Sequence, residues 1–439
     1  MSAEEKFDAI VIGAGPAGLA CAYALAREGK EVVLLERGSS AGEKNYTGGR
    51  MYSHALDALE PGLCEEAAAQ GALERRVTHE QIMCLSENSG MTIDYTDGGL
   101  LHRAGSDPAV EVPQSWTVLH SKFNAWFASK AEEAGVALAP GVRVDSLIEE
   151  GDKIVGVRAG EDELYADVVV AADGVNSFIA ASAGLAPAVN AHSVGVGIKE
   201  VIELPESVIE DRFQIDKDGG AARVVLGCTA GIPGGGAIYT NRNTISLACV
   251  FNPAHAAEQK RRLPDIFQEF KMHPAIYPLI KGGTTVEYGG HLVMENGWRN
   301  VMRTPYRDGL LVAGEAAGYV INTGVIIRGI DLAILSGTAA AQAILTGAQG
   351  KALGQEYVRR LELCKLNDAM RAAQNWPDFM ASPRLFSAYP DMGVDMLRQL
   401  FTVDDGAASL KKRLIGSVKR SGAGIMDMVR DAWRAYKAL

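Results

Sequence analysis

The sequence predicts an α/β protein, α+β overall, in which a parallel doubly wound sheet is interleaved with a mostly antiparallel β lobe and followed by a helical tail. Three observations predict it. Residues 7–36 read strand, glycine turn, helix, strand, the βαβ unit that imposes parallel pairing. Two later apolar runs, VVVAADG ending at Gly174 and LLVAG ending at Gly314, read as core strands closed by glycine turns. Between and around them lie short alternating runs broken by Ser, Asn, Asp and Gly, the pattern of antiparallel strands.

Taken in order, 7–12 is a short buried strand and 16–27 a helix with Pro16 in its first turn and a stop at Gly29. The strand EVVLL follows at 31–35, then a polar glycine-rich loop, SSAGEKNYTGGR, at 39–50. Residues 53–70 are helical with a break at Pro61-Gly62, and 82–113 alternate as antiparallel strands. In 121–134 Phe123, Trp126, Phe127, Ala131 and Ala134 share one helix face, and Gly135 ends it. A meander over 142–148, 154–158 and 164–171 returns to the core. Residues 186–300 are β-rich with one helix near 263–272. The 309–344 section is a core strand whose glycine turn opens a long small-residue helix. From 351 onward the chain is helical, with loops at Pro377, Pro383 and Pro390. The expected division is a Rossmann-like nucleotide domain from 1–80, 114–185 and 301–350, a β-rich domain from 81–113 and 186–300, and a docking region at 351–439.

With 439 residues, two or three lobes are expected. A content of 47% hydrophobic and 22% charged residues excludes a disordered chain. Glycine stands out at 49 residues, about 11% against a usual 7% or so, in clusters suited to turns that meet a ligand closely. The net charge of −11 argues against nucleic acid as a partner. Cys21, Cys64, Cys84, Cys228, Cys249 and Cys364 form no C-x-x-C pair, and no H-E-x-x-H occurs, so no metal site is expected. Reduced buried thiols and an acidic leader point to the cytoplasm. The uncharged stretches 9–26, 174–198 and 332–350 are broken by Gly, Pro, Asn, His or Gln, and no transmembrane helix is expected.

The chemistry starts at Gly13-Ala14-Gly15-Pro16-Ala17-Gly18, with Glu36 closing the next strand. Gly13 permits the tight turn, Gly15 the approach of backbone to a pyrophosphate, and Gly18 close helix–sheet packing. The helix N-terminus faces the phosphates, and Glu36 accepts from a ribose. This is a dinucleotide site. A nicotinamide enzyme would continue with a second βαβ unit, whereas this chain leaves for another lobe.

At Ala172-Asp173-Gly174 and at GLLVAGEAAG (309–318) the sequence resembles the flavoprotein class of aromatic hydroxylases and geranylgeranyl reductases. The resemblance implies FAD, with the Gly314 turn on the ribityl chain and the following helix aimed at the flavin. Glu315 stands where that class has Asp, one methylene longer. EKNYTGGRMY (43–52), EYGGHL (287–292), GEAAGYVINTGVIIRGIDLAILSG (314–337), YPDM (389–392) and WRAYKAL (433–439) extend the likeness along nearly the whole chain. Through them it resembles the Fix-type flavoproteins, relatives of electron-transfer-flavoprotein:quinone oxidoreductase. That resemblance implies a loop near the flavin at Asn45, Thr47, Gly48, Gly49 and Arg50. It also implies a turn, Asn322-Thr323-Gly324, presenting N–H groups to the isoalloxazine. Arg37, Val144 and Val325 join the implied cofactor-binding set. Tyr288, Gly289, Gly290 and Arg328 form a quinone or partner side, although a β-bulge explains the glycine pair equally well.

Single-chain members of that wider family carry a four-iron cluster held by cysteines. Here only Cys364 lies in the last third, so the resemblance implies a separate small ferredoxin-like iron–sulfur subunit beside the α and β subunits of an electron-transfer flavoprotein. Residues 411–439 hold eight Lys or Arg and two Asp, a net +6 against −17 for the rest. Ile425, Val429, Trp433 and Tyr436 make one apolar face there, suited to an acidic partner, anionic lipid or ordinary packing. The apolar 376–401 segment reads as a membrane-side surface or as core.

The expected function is electron transfer from an electron-transfer flavoprotein through FAD to a quinone, in the cytoplasm or peripherally on the inner face of the cytoplasmic membrane. No catalytic acid, base or nucleophile is needed, because the isoalloxazine carries the chemistry. Alternatives are a prenyl-chain reductase, an FAD-dependent aromatic monooxygenase, or a non-catalytic subunit that keeps the fold.

Overall fold

A computed structural model describes residues 6–44, 49–107, 110–185, 190–403 and 409–439. Strand β1 (Lys6–Ile12), helix α1 (Pro16–Arg27) and strand β2 (Val32–Glu36) form the expected βαβ unit. The chain then leaves for a second sheet through β3 (Gly49–Tyr52), α2 (His54–Leu59), α3 (Leu63–Ala69), β4 (Arg76–Leu85), β5 (Gly90–Thr96) and β6 (Ser115–Val118). Helix α4 (His120–Glu133) and strand β7 (Ala137–Pro140) bring it back, followed by β8 (Ser146–Glu150), β9 (Lys153–Ala159) and β10 (Asp162–Ala171).

After α5 (Phe178–Ser182) comes a second excursion. It runs through β11 (Val194–Glu203), α6 (Glu206–Phe213), β12 (Gly219–Leu226), β13 (Gly234–Thr240) and β14 (Thr244–Phe251). Helices α7 (Pro253–Gln259), α8 (Leu263–Met272) and α9 (Tyr277–Ile280) precede β15 (Thr284–Met294). Strands β16 (Tyr306–Arg307) and β17 (Leu310–Val312) complete the first sheet. A ribbon of β18 (Ile321–Asn322) and β19 (Ile327–Arg328) leads to α10 (Ile330–Ile344). The tail is α11 (Gly350–Leu363), α12 (Leu366–Ala372), α13 (Trp376–Met380), α14 (Ala388–Phe401), α15 (Leu410–Arg420) and α16 (Ile425–Ala438).

The first sheet has the order β16-β17-β10-β1-β2-β7, with β17, β10, β1, β2 and β7 parallel and β8–β9 attached beside β10. Its central strands become continuously apolar where both faces are covered, at 9–12, 32–35 and 168–171; Ala9, Ile10 and Val11 are fully buried. Small residues let α1 and α10 press together, and a Cβ on Gly337 would lie 2.0 Å from the Ala17 carbonyl oxygen. The second sheet has the order β15-β11-β14-β13-β12-β4-β6-β3, with β5 beside β4. One of its faces packs Ile198, Ile202 and Phe251 against Phe267 and Phe270 of α8.

Three features differ from the sequence expectation. Strands β3 and β6 lie in ranges expected for the nucleotide domain, yet they pair with each other in the second sheet. Among its described residues the 186–300 section holds four α-helices rather than one; α7 is announced by Asn252-Pro253, where Asn252 Oδ1 accepts from the N–H groups of Ala254 and His255. Helix α10 does not open at Gly314. Residues Gly314–Ala317 make one 3₁₀ turn, ended by Gly318 at φ +88°, where a Cβ would meet the Asn300 carbonyl oxygen at 2.3 Å. The ribbon then intervenes before Ile330.

Candidate functional site

Because β2, β1, β10 and β17 are parallel neighbours, the turns that leave them line one edge of the sheet, where ligands of doubly wound folds bind. Short bonds hold the edge together: Gly13 N–H donates to Leu35 O at 2.8 Å, Ala172 N–H to Ile12 O at 2.9 Å, and Ala313 N–H to Ala171 O at 2.9 Å. Gly13 has φ +100°, and a Cβ there would lie 2.5 Å from Ala172 O; one on Gly18 would lie 1.9 Å from Gly13 O. Gly15 caps α1 and Pro16 starts it, with no acidic residue in the first turn to oppose an anion. On Gly314, at φ +70°, a Cβ would lie 2.8 Å from that of Ala17.

Around this cradle stand the acids. Glu36 accepts from Ala14 N–H (2.9 Å) and Gly38 N–H (2.6 Å). The segment carrying half-buried Val144 is tied to the same place by Val142 N–H donating to Glu36 O and Gly141 N–H to Gly38 O. Asp173 Oδ2 accepts from Ile179 N–H at 2.9 Å, while its Oδ1 is buried without a partner. Burial pushes the Asp173 carboxyl up, against the pull of backbone N–H groups and Arg37. Glu315 Oε1 accepts from Met294 N–H at 2.9 Å, and Gly314 N–H donates to Ser336 Oγ at 2.8 Å. Burial pushes Glu315 up to about 7, with the Met294 N–H and Lys199 pulling the other way. A glycine cradle that tolerates no Cβ and an orphaned buried carboxylate oxygen fit a bound dinucleotide.

Other expected residues are placed differently. In the Asn322-Thr323-Gly324 turn, Gly324 N–H is taken by Asn322 Oδ1 (2.8 Å), Thr323 N–H by Ile326 O (3.0 Å) and Ile326 N–H by Thr323 Oγ1 (3.1 Å). That leaves Val325 N–H, among the described residues, without a bond in this turn. Asn322 Nδ2 donates to Glu295 at 2.9 Å. Arg50 is not open toward the cleft. Its guanidinium makes a two-pronged pair with Glu80, bonds Ser115 Oγ at 2.8 Å and lies over the Tyr52 ring. Arg328 pairs with buried Asp331 and also lies over the Tyr52 ring, 5.6 Å from its centroid. Tyr288 stacks edge-on with Phe267 of α8, on the far face of the second sheet, so it does not share a face with Gly289. Asn45, Thr47 and Gly48 lie outside the described residues.

Sequence reasoning missed the residues that the second sheet turns toward the cleft. Lys199 on β11 pairs with Gly289 on β15, and Gly197 with His291, so their side chains face away from the α8 core. A Cβ on Gly49 would sit 3.5 Å from His120 Nε2, bringing His120 to the same place. Burial, reinforced by Lys199 and His291, pushes His120 down to about 3. Glu295, beside Gly195, is pushed up to about 7 by burial. The available signal was a lone lysine in the VGVGIKEVIE strand, at even spacing from two glycines.

Farther along the same face, a cavity of about 290 Å³ opens between the second sheet and the Val325–Ile326–Ile327 segment. Ile82, Ile93, Val224 and Tyr239 form its walls, and Arg50, Glu80 and Tyr52 part of its floor. The Tyr52 hydroxyl is buried without a partner.

A dinucleotide edge facing a half-buried cluster of charged and imidazole groups, with an apolar cavity beyond, defines an FAD-dependent oxidoreductase. The FAD binding domain family matches residues 6–354. The ETF-QO/FixC family C-terminal domain matches residues 376–439, and the chain belongs to the ETF-QO/FixC family. It is 44% identical to Protein FixC of Escherichia coli O157:H7 over 99% of this chain and 100% of that one. It is 42% identical to the probable electron transfer flavoprotein-quinone oxidoreductase YdiS of Escherichia coli K12, with the same coverage. In fold it is similar to a geranylgeranyl bacteriochlorophyll reductase-like protein from Thermoplasma acidophilum, with a TM-score of 0.69 at 18% identity over 98% of this chain and 100% of that one.

Proposed function

We propose that the chain takes electrons from a two-subunit electron-transfer flavoprotein, holds them on FAD and passes them to a quinone. Bound FAD supplies the redox chemistry. The chain's part is to bind it at Gly13–Gly18, Glu36, Arg37, Ala172–Gly174 and Gly314–Glu315, and to shape the acceptor's approach. The observation that carries this reading is the cavity rim. Ile93 (60% exposed), Tyr95, Val325, Ile326 (43%) and Ile327 are exposed together around its mouth, next to the Asn322–Gly324 turn. Such an apolar mouth suits a lipid-soluble ring and is costly to leave in water. The acceptor side is therefore assigned to this cavity rather than to Tyr288.

The need for a ferredoxin-like iron–sulfur subunit is proposed from family likeness, since no group of ligands for a metal occurs among the described residues. Among those residues no helix is long and apolar enough to cross a membrane. On α16, Ile425, Met426, Val429, Trp433 and Tyr436 are exposed, flanked by Arg430, Arg434 and Lys437. This supports peripheral contact with anionic head groups on the inner face of the cytoplasmic membrane, where the quinone resides.

Stopped-flow spectroscopy tests the reading. The flavin is reduced by its electron-transfer flavoprotein and reoxidised by a short-chain quinone; Ile93→Asp and Ile326→Asp slow reoxidation about tenfold or more and leave reduction unchanged. Reoxidation no faster with quinone than with oxygen alone, alongside NADPH-driven hydroxylation or saturation of a prenyl double bond, would sink it.

A further inference from the structure

Lys199 is half-buried on β11. Among the described residues its Nζ makes no hydrogen bond and no ion pair. Its neighbours on the same strand show which way it points. Ile198 and Ile202 pack into the α8 core and Glu200 pairs with Lys271, so the intervening Lys199 faces the other sheet. The groups that feel its charge come from both sides of the cleft: Glu315 from the first sheet's edge, and Glu287, His291 and His120 from the second sheet's side. Burial lowers its proton affinity, with Glu315 and Glu287 opposing.

The position along the cleft follows from the anchors. The pyrophosphate belongs at the α1 N-terminus and the adenosine ribose at Glu36, on the β2 side. The flavin half must then run the opposite way, past Asp173 and Gly314, to where Glu315 is bonded to Met294 of β15. Strand β11 is the next one inward from β15, and it carries Lys199.

We propose that Lys199 is the charge-setting residue of the bound flavin, favouring its reduced anionic form. Two electrons and one proton convert the neutral oxidised ring to an anion, so the ring gains one negative charge. An ammonium held nearby in a poorly solvated cleft stabilises that gain more than it stabilises the oxidised ring. The inference rests on FAD binding alone. It stands whether or not the electrons go on to a quinone.

The test equilibrates the FAD-loaded protein with reference dyes under dithionite. At a fixed potential, Lys199→Met and Lys199→Gln lower the reduced-to-oxidised ratio at least tenfold, about 30 mV for a two-electron couple. Lys199→Arg keeps the charge and stays within threefold of the natural protein. Sulfite, whose addition also makes the ring anionic, binds about tenfold more weakly to the neutral variants and normally to Lys199→Arg. If only Lys199→Arg loads FAD, a ratio within threefold of the natural protein supports the proposal and a tenfold lower one overturns it. A neutral variant that loads FAD and keeps the original ratio overturns the proposal. So does a shift in Lys199→Arg as large as in Lys199→Met, or a failure of all three variants to load.

Discussion

The backbone N–H of Met294 donates to Oε1 of Glu315 at 2.9 Å, joining the edge strand of the second sheet to the turn that leaves the first. The extra methylene of Glu lets the acid span that gap and still occupy the cofactor turn. Burial holds the carboxyl near 7 despite this bond. Between about pH 4.5 and pH 7 it is therefore protonated when folded and ionised when unfolded. The folded state binds more protons, so flavin-free protein loses stability as pH rises through that window. Glu295, also near 7, adds to the same slope. Glu315→Gln flattens part of it, as urea midpoints measured across the window will show.

Gly18→Val places side-chain atoms where a Cβ alone would stand 1.9 Å from Gly13 O. The helix has to lift off the turn, at a cost of about 2 kcal/mol or more. The purified protein is expected to carry severalfold less FAD per chain. Gly98→Ala, a position with open space around it, is the control and retains full flavin content.

Glu80→Ala strips the partner from Arg50, whose side chain is only 6% exposed. An uncompensated guanidinium in the cavity floor costs about 3 kcal/mol in urea denaturation. The double change Arg50→Met with Glu80→Leu recovers most of that loss. Equal losses in the single and double variants would contradict a coupled pair.

The pairing of strands is where sequence reading stopped. Helix α1 matches its expected span residue for residue, because Pro16 at its start and the glycines around it are local signals. Strand β3 is four residues long and is held in the second sheet by β6, more than sixty positions away; nothing within 49–52 states that partner. The faces of β15 depend on parity, and one residue of register decides that Gly289 meets Lys199 while Tyr288 meets Phe267. The Asn322 turn is legible in the sequence. Asn followed two places on by Gly is an Asx turn, whose side chain captures the very N–H expected to face the ring.

Asp431→Asn frees the terminal helix. Burial alone would raise this carboxyl, but bonds from Arg384 (2.8 Å), Tyr389 (2.6 Å) and Ser382 (3.1 Å) hold it below the usual range. The tie is present above the ordinary aspartate range near pH 4 and is lost as pH falls through the lowered value. The variant weakens docking of α16 by about 2 kcal/mol. Hydrogen exchange in 425–438 is expected to quicken while the first sheet is unchanged.

Strand β10 pairs on one side with β1 and on the other with β17, so the parallel sheet is unfinished until Val312 has been joined to the chain. A ribosome adding about 5–20 residues per second needs on the order of tens of seconds to travel from the first glycine turn to the last. Throughout that interval β10 lacks its β17 neighbour and α1 lacks the α10 surface that later covers it. Prosthetic-group capture consequently has to wait until the Gly314 turn has been made, and stop codons anywhere before that point leave a product for chaperones and proteases rather than a smaller flavoprotein.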